Sequence, residues 1–217
     1  MYWYRTLLIC TTISIALCAW LLMGPRGRRE WTALGLLIGA IWSVEIAAVV
    51  LTLMDRSNGS LYNVAWPVYF MLLVIINQRM VPIGRKILAP LVLVFIVVWA
   101  WNIGAHGKED DLVTLSVILG AFMLCALYLH SLWHISNNYP GRLSRSGAFW
   151  VSLAVVLYYG SLTPLLGAIN YLVSVAPESA SRLFWVVQVI AALHYIGIAI
   201  ACIVERKTDT ISLQHGN

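Results

Sequence analysis

The sequence predicts an all-α polytopic membrane protein of seven transmembrane helices, with the N-terminus outside and the C-terminus inside. Three observations predict it. Of 217 residues, 61% are hydrophobic and only 11% are charged, with a mean hydropathy of +0.83, which leaves no charged shell for a water-soluble domain. The apolar residues gather into runs of about 20, the length that crosses a hydrocarbon core of roughly 30 Å as a helix. The charges fall in the short breaks between those runs, and the basic ones are biased to one side.

The first span, Arg5 to Gly24, has a long apolar run, a single basic lead residue and a poor cleavage site at Gly24-Pro25-Arg26, so it reads as a helix rather than a signal peptide. The second, Trp31 to Met54, carries Gly35 and Gly39 four apart, a spacing that lets helices pack closely. The third, Leu61 to Gln78, opens after Asn58-Gly59 and contains Pro67, which kinks a helix. The fourth, Ile87 to Ala105, lies between the Pro82 to Gly84 turn and His106-Gly107. The fifth, Leu112 to Ile135, stops before Tyr139-Pro140-Gly141. The sixth, Gly147 to Val175, holds the small-residue and proline stripe Gly160, Pro164, Gly167 and ends at Ala176-Pro177. The seventh, Arg182 to Val204, leads into a polar segment, so the chain divides into a transmembrane domain, residues 1–204, and a short cytoplasmic tail, residues 205–217.

With the first span entering from outside, the inner segments hold Arg26, Arg28, Arg29, Arg79, Arg85, Lys86, Arg142, Arg145, Arg206 and Lys207. The outer ones hold only Arg5, Arg56, Lys108 and Arg182, and these ten and four account for all 14 basic residues. This asymmetry sets the orientation by the positive-inside rule and points to the cytoplasmic membrane. The acidic run Glu109 to Asp111 then lies outside. Trp3, Trp31, Trp101 and Trp185, near span ends, are expected as interface anchors. The net charge of +5 is spread over loops rather than gathered on one face, which excludes a nucleic-acid module. Cys10, Cys18, Cys125 and Cys202 all lie within spans, so no disulfide framework is expected.

Glu45 is the one acid well inside a span, about nine residues or roughly 14 Å from the outer end of its helix. A carboxylate at that depth faces the bundle, is protonated, or pairs with a donor. His194 lies at a similar depth, and Tyr69, Gln188 and Tyr195 are further candidate partners. Two readings stand: an interhelical clamp, or a ligand or proton site. Amides and aromatics share the same half of the bundle, with Asn63 and Trp66, Trp99 and Asn102, Asn170 and Tyr171, and Trp185 and Gln188. Such groups form small-molecule pockets, and they also serve as interface anchors and helix contacts. His130 and His134 are four apart on one face of the fifth span, where with His194 they offer a haem or metal alternative; the more general reading of such histidines is hydrogen bonding. No intramembrane lysine is present in the seventh span for a retinal Schiff base, and no P-loop, Gly-x-Ser-x-Gly or paired acid suggests an enzyme.

The run Leu61-Tyr62-Asn63-Val64-Ala65-Trp66-Pro67-Val68-Tyr69-Phe70 stands downstream of Glu45. Asn102 follows, and Ser146-Gly147-Ala148-Phe149-Trp150 opens a span that continues to Tyr158-Tyr159-Gly160. Together they resemble a group of Bacteroidota-type bacterial seven-helix membrane proteins regarded as sensor-like because some accompany histidine kinases. The group often has an acid two residues after the proline. This chain has Tyr69 there, which removes one member of a carboxylate pair.

The leading expectation is a receptor-like or sensory protein that binds a small amphipathic ligand in the outer half of the bundle and signals through a separate protein at the cytoplasmic face. Glu45 is its polar anchor, with Asn63, Trp66, Tyr69, Trp99, Asn102, Asn170, Gln188, His194 and Tyr195 around it. The alternative is a small-solute transporter, proton-coupled through Glu45 with Pro67 and Pro164 as hinges. No convincing repeat relates the first three spans to the last three, which counts against the second reading.

Overall fold

The computed structural model describes residues 2–23, 29–106, 114–139 and 141–215. Arg26, Arg28, Lys108, the Glu109 to Asp111 run and the side chains of Trp3, Arg5, Asn170, Tyr171 and Lys207 lie outside the described residues. Among those residues are seven α-helices and a short 3-10 turn, and no strand: α1 Tyr2–Met23, α2 Arg29–Leu53, α3 Gly59–Met80, α4 Arg85–His106, α5 Thr114–Asn138, the turn Leu143–Arg145, α6 Gly147–Val175 and α7 Pro177–His215. Helices α2 to α7 are long and apolar enough to span a bilayer, and α1 adds a shorter apolar stretch, Thr6–Leu22. The protein is a polytopic helical membrane protein.

Each predicted span falls on one helix. The boundaries shift where turns and caps set the helix ends. Helix α2 ends in a Schellman motif: Asp55 adopts φ 53°, its N–H reaches the Thr52 carbonyl at 3.2 Å, and the Arg56 N–H reaches Leu51 at 2.9 Å. Asp55 therefore supplies the left-handed residue of this turn. The α3–α4 turn is clamped by Gln78, whose amide donates to the Ile83 carbonyl and accepts from the Ile83 N–H, both at 2.9 Å. Ser146 caps α6 by accepting from the Phe149 N–H at 3.3 Å. Pro177 occupies the first position of α7, where its missing N–H costs nothing. Helix α7 does not stop near Val204 but continues through the polar residues to His215.

The helices close a ring in the order α1, α2, α3, α5, α6, α7 and back to α1, while α4 packs outside it against α5 and α3. One half of the ring, toward the α3–α4 turn, is filled by side chains including Leu34, Phe70, Leu73, Leu124, Tyr128 and Val151. Polar groups in this half bond across helices. Asn77 donates to Ser131 Oγ at 2.7 Å, and the Tyr128 hydroxyl donates to the Leu73 carbonyl at 2.8 Å. At the same end, Glu205 of α7 accepts the Gly147 N–H at the start of α6 at 3.0 Å, and Arg206 donates to the Leu22 carbonyl.

Trp31 is not an interface anchor: it is buried to 2% exposure beside Gly147, and its carbonyl accepts the Trp20 indole N–H at 2.7 Å. Trp101 is 59% exposed, as an anchor would be. Of the predicted small-residue contacts, Gly35 lies against the Trp20 ring and Gly160 faces Cys125, whereas Gly39 and Gly167 face open space. Further close approaches, not expected from the stripes, occur at Gly120, Gly147 and Gly197.

A Cβ on Gly147 would stand 2.7 Å from Glu205 Oε2, 2.9 Å from the Ala201 carbonyl oxygen and 2.9 Å from the Trp31 ring, and the carbonyl is backbone that cannot yield easily. Gly147→Ala is expected to destabilise the bundle by about 1–3 kcal/mol, whereas Gly39→Ala should leave it nearly unchanged. Thermal unfolding in lipid nanodiscs compares the two, and equal midpoints would contradict this packing.

Candidate functional site

The half of the ring toward the α2–α3 turn is not filled. It contains two cavities that share Glu45 and Tyr62 in their walls. A groove cavity of about 300 Å³ lies between α1, α2, α3 and α7, lined by Thr6, Ile9, Thr52, Phe184 and Gln188 among others. A ring cavity of about 200 Å³ lies inside the helix ring, lined by Ile41, Trp66, Tyr69, Val117, Tyr158, Tyr159, Leu162, Leu166, His194 and Tyr195.

Glu45 Oε2 accepts the Tyr62 hydroxyl at 3.1 Å. The expected partners Tyr69, Gln188, His194 and Tyr195 share the cavity walls with Glu45, but the donor is Tyr62, one helix away across the α2–α3 contact. A donated hydrogen bond stabilises a carboxylate that has left water. Among the described residues, no lysine or arginine lines either cavity.

The ring cavity has aromatic walls in continuous contact. Trp66 is tilted against Tyr159 with centroids 5.8 Å apart, and Tyr159 meets Tyr158 edge to face at 4.8 Å. Tyr158 stacks on His194 at 4.9 Å, and His194 meets Tyr195 edge to face at 5.3 Å. Backbone carbonyls fix this arrangement. The Trp66 indole donates to the Ser116 carbonyl at 3.3 Å, and His194 Nδ1 lies 3.0 Å from the Ala154 carbonyl oxygen. Because a carbonyl only accepts, Nδ1 carries the proton and Nε2 remains an acceptor in the neutral ring. Two buried polar atoms at the cavities, Tyr69 Oη and Gln188 Oε1, have no hydrogen-bond partner among the described residues.

The residues singled out in the sequence divide accordingly. Glu45, Trp66, Tyr69, His194 and Tyr195 meet at the ring cavity, and Gln188 joins Glu45 at the groove cavity. Asn63, Trp99 and Asn102 line neither cavity: the Trp99 indole donates to the Asn63 carbonyl at 3.0 Å, joining α4 to α3, and Asn102 is buried. The Trp99–Asn63 bond belongs to the contact that holds α4 on the outside of the ring. His130 and His134 lie on an exposed face of α5 with centroids 6.5 Å apart, whereas His194 is buried at the ring cavity. Among the described residues, no three His, Cys, Asp or Glu side chains gather at one point. Tyr62, Tyr158 and Tyr159 were not singled out as site residues, although all three stand in the motif runs around Pro67 and Gly160. Comparison with family models, curated proteins and solved structures finds no match, so the site is read from its own geometry.

The Glu45–Tyr62 bond should appear as an energetic coupling. In a double-mutant cycle of Glu45→Ala and Tyr62→Phe, unfolding energies are expected to depart from additivity by about 1 kcal/mol. Strict additivity would mean that the two side chains do not interact.

Proposed function

We propose that this protein is a receptor-like membrane protein that binds a small amphipathic ligand between α2, α3, α6 and α7, with Glu45 as its polar anchor. The observation that carries this reading is the single carboxylate shared by two cavities in the unfilled half of the bundle. Concave sites with mainly apolar walls and a few converging polar groups are the usual form of small-molecule pockets. Here the polar groups include Glu45, Tyr69, Gln188 and His194, and most of the walls are aromatic and aliphatic. With the basic segments on the cytoplasmic side, these cavities lie in the outer half of the membrane.

Helix α7 connects the site to the opposite end. It lines the groove cavity through Phe184 and Gln188 and the ring cavity through His194 and Tyr195, and then continues as one helix to Glu205 and His215. A ligand that displaces α7 moves that distant end as well, since packed helices shift as units. A separate signalling protein at the cytoplasmic face would read this displacement.

Transport is the second reading, favoured by the prolines. Pro67 stands between the cavity residues Trp66 and Tyr69, and Pro164 between Leu162 and Leu166, so both interrupted helices flank the ring cavity. A helix lacking a backbone hydrogen bond at this level is a natural place to bend.

Protein extracted with its surrounding lipid is expected to carry a small amphiphile, detectable by mass spectrometry, that is depleted in Leu166→Trp, where the larger ring fills the cavity. Equal recovery from both proteins would overturn the binding site. For transport, proteoliposomes under an imposed pH gradient should accumulate at least one solute of a labelled panel, and a flat response across that panel would reject the second reading.

A further inference from the structure

The composition of the ring cavity wall goes beyond a generic amphipathic pocket. Its one acidic group is Glu45, and its remaining polar lining is tyrosine phenol and the His194 imidazole. No lysine or arginine balances the acid among the described lining residues. A carboxylate in a membrane interior is costly without a counter-charge, and the Tyr62 hydroxyl offers only a neutral donor. The rings around it are electron-rich, and the tilted and edge-to-face contacts turn their faces in several directions: 50° between Trp66 and Tyr159, 73° between Tyr158 and Tyr159, and 64° between His194 and Tyr195. An anionic ligand would meet Glu45 and the negative ring faces, and a neutral one would leave the carboxylate unbalanced.

We infer that the ring cavity is an aromatic cage for an organic cation, a quaternary or protonated amine whose head sits against Glu45 and the rings of Trp66, Tyr69, Tyr158, Tyr159 and Tyr195. Cation–π attraction to several rings, together with one carboxylate, is the chemistry by which quaternary ammonium groups are recognised. A volume of about 200 Å³ admits a trimethylammonium head with a short chain rather than a large ring system. Tyr69 Oη, buried without a partner, gives a protonated amine a place to donate a hydrogen bond. This inference rests on the ligand-binding reading above and specifies its chemical class. The same cage accepts a free amine or the head of a choline lipid.

The test uses the full-length protein in nanodiscs of phosphatidylglycerol, titrated calorimetrically with three isosteres. These are 6-hydroxyhexyl-trimethylammonium, the uncharged 7,7-dimethyloctan-1-ol with carbon in place of nitrogen, and 6-hydroxyhexane-1-sulfonate. The cation is expected to bind about 30-fold or more tightly than its carbon isostere, and the sulfonate not at all. Glu45→Gln, which keeps the side-chain volume, and Tyr159→Leu should each reduce that preference by about tenfold or more. Equal affinity of the cation and the carbon isostere in the wild-type protein overturns the cage while leaving an apolar binding site in place. No saturable binding of any of the three also overturns it, and the ligand-binding reading then answers separately to the mass-spectrometric comparison with Leu166→Trp. The wild-type comparison needs no variant, so a variant that fails to fold does not shield the inference. Repeating the titration in phosphatidylcholine nanodiscs separates the sources, both consistent with the cage: weaker binding of the soluble cation identifies a lipid head as occupant, and unchanged binding identifies a free amine.

Discussion

A hydrocarbon solvent offers no hydrogen bonds, so each polar group carried into the bundle must find its partner within the protein. Much of the architecture follows from that demand. The indoles of Trp20, Trp66 and Trp99 each donate to a backbone carbonyl on another helix, as does the hydroxyl of Tyr128. These bonds tie α1 to α2, α3 to α5 and α3 to α4, in the same pairs that pack against one another. Glu45 is where the demand is hardest to meet. It takes one bond from Tyr62 and otherwise faces two cavities instead of a sealed contact.

The ring arrangement explains why the two halves of the bundle differ. Toward the α3–α4 turn, Gly147 allows close approach, and aliphatic side chains with Phe70 and Tyr128 fill the centre. Toward the α2–α3 turn, Tyr62, Tyr69, Tyr158, Tyr159 and Tyr195 stand around the same axis, and rigid planar rings do not close it. The filled half packs the helices together and the open half keeps two cavities. Helix α7 belongs to both, lining the cavities of one half and bonding Gly147 through Glu205 in the other.

Several features were legible because they depend on neighbours in sequence. Spans are set by apolar length against bilayer thickness, so each of the seven was found, and a lone acid such as Glu45 stands out in an apolar run. Features that depend on which helix lies opposite were not legible. Trp31 has the position of an interface anchor, but α6 brings Gly147 against it and buries it. Asn63, Trp99 and Asn102 share the level of the site, yet α4 lies outside the ring, where the Trp99 indole bonds the Asn63 carbonyl across the α3–α4 contact and Asn102 is buried. His130 and His134 share a face, as their spacing requires, and that face is the exposed one.

The sequence by itself determined that the chain is an all-helical membrane protein, on which apolar run each helix is built, and that Glu45 is its anomalous residue. These are consequences of hydropathy and helical geometry, which act along the chain. Only the tertiary structure decided that Tyr62 is the partner of Glu45, that Tyr158 and Tyr159 stand beside it, and that α4 is excluded from the ring. Helical periodicity states which residues share a face, but the order in which helices close around an axis decides which faces meet.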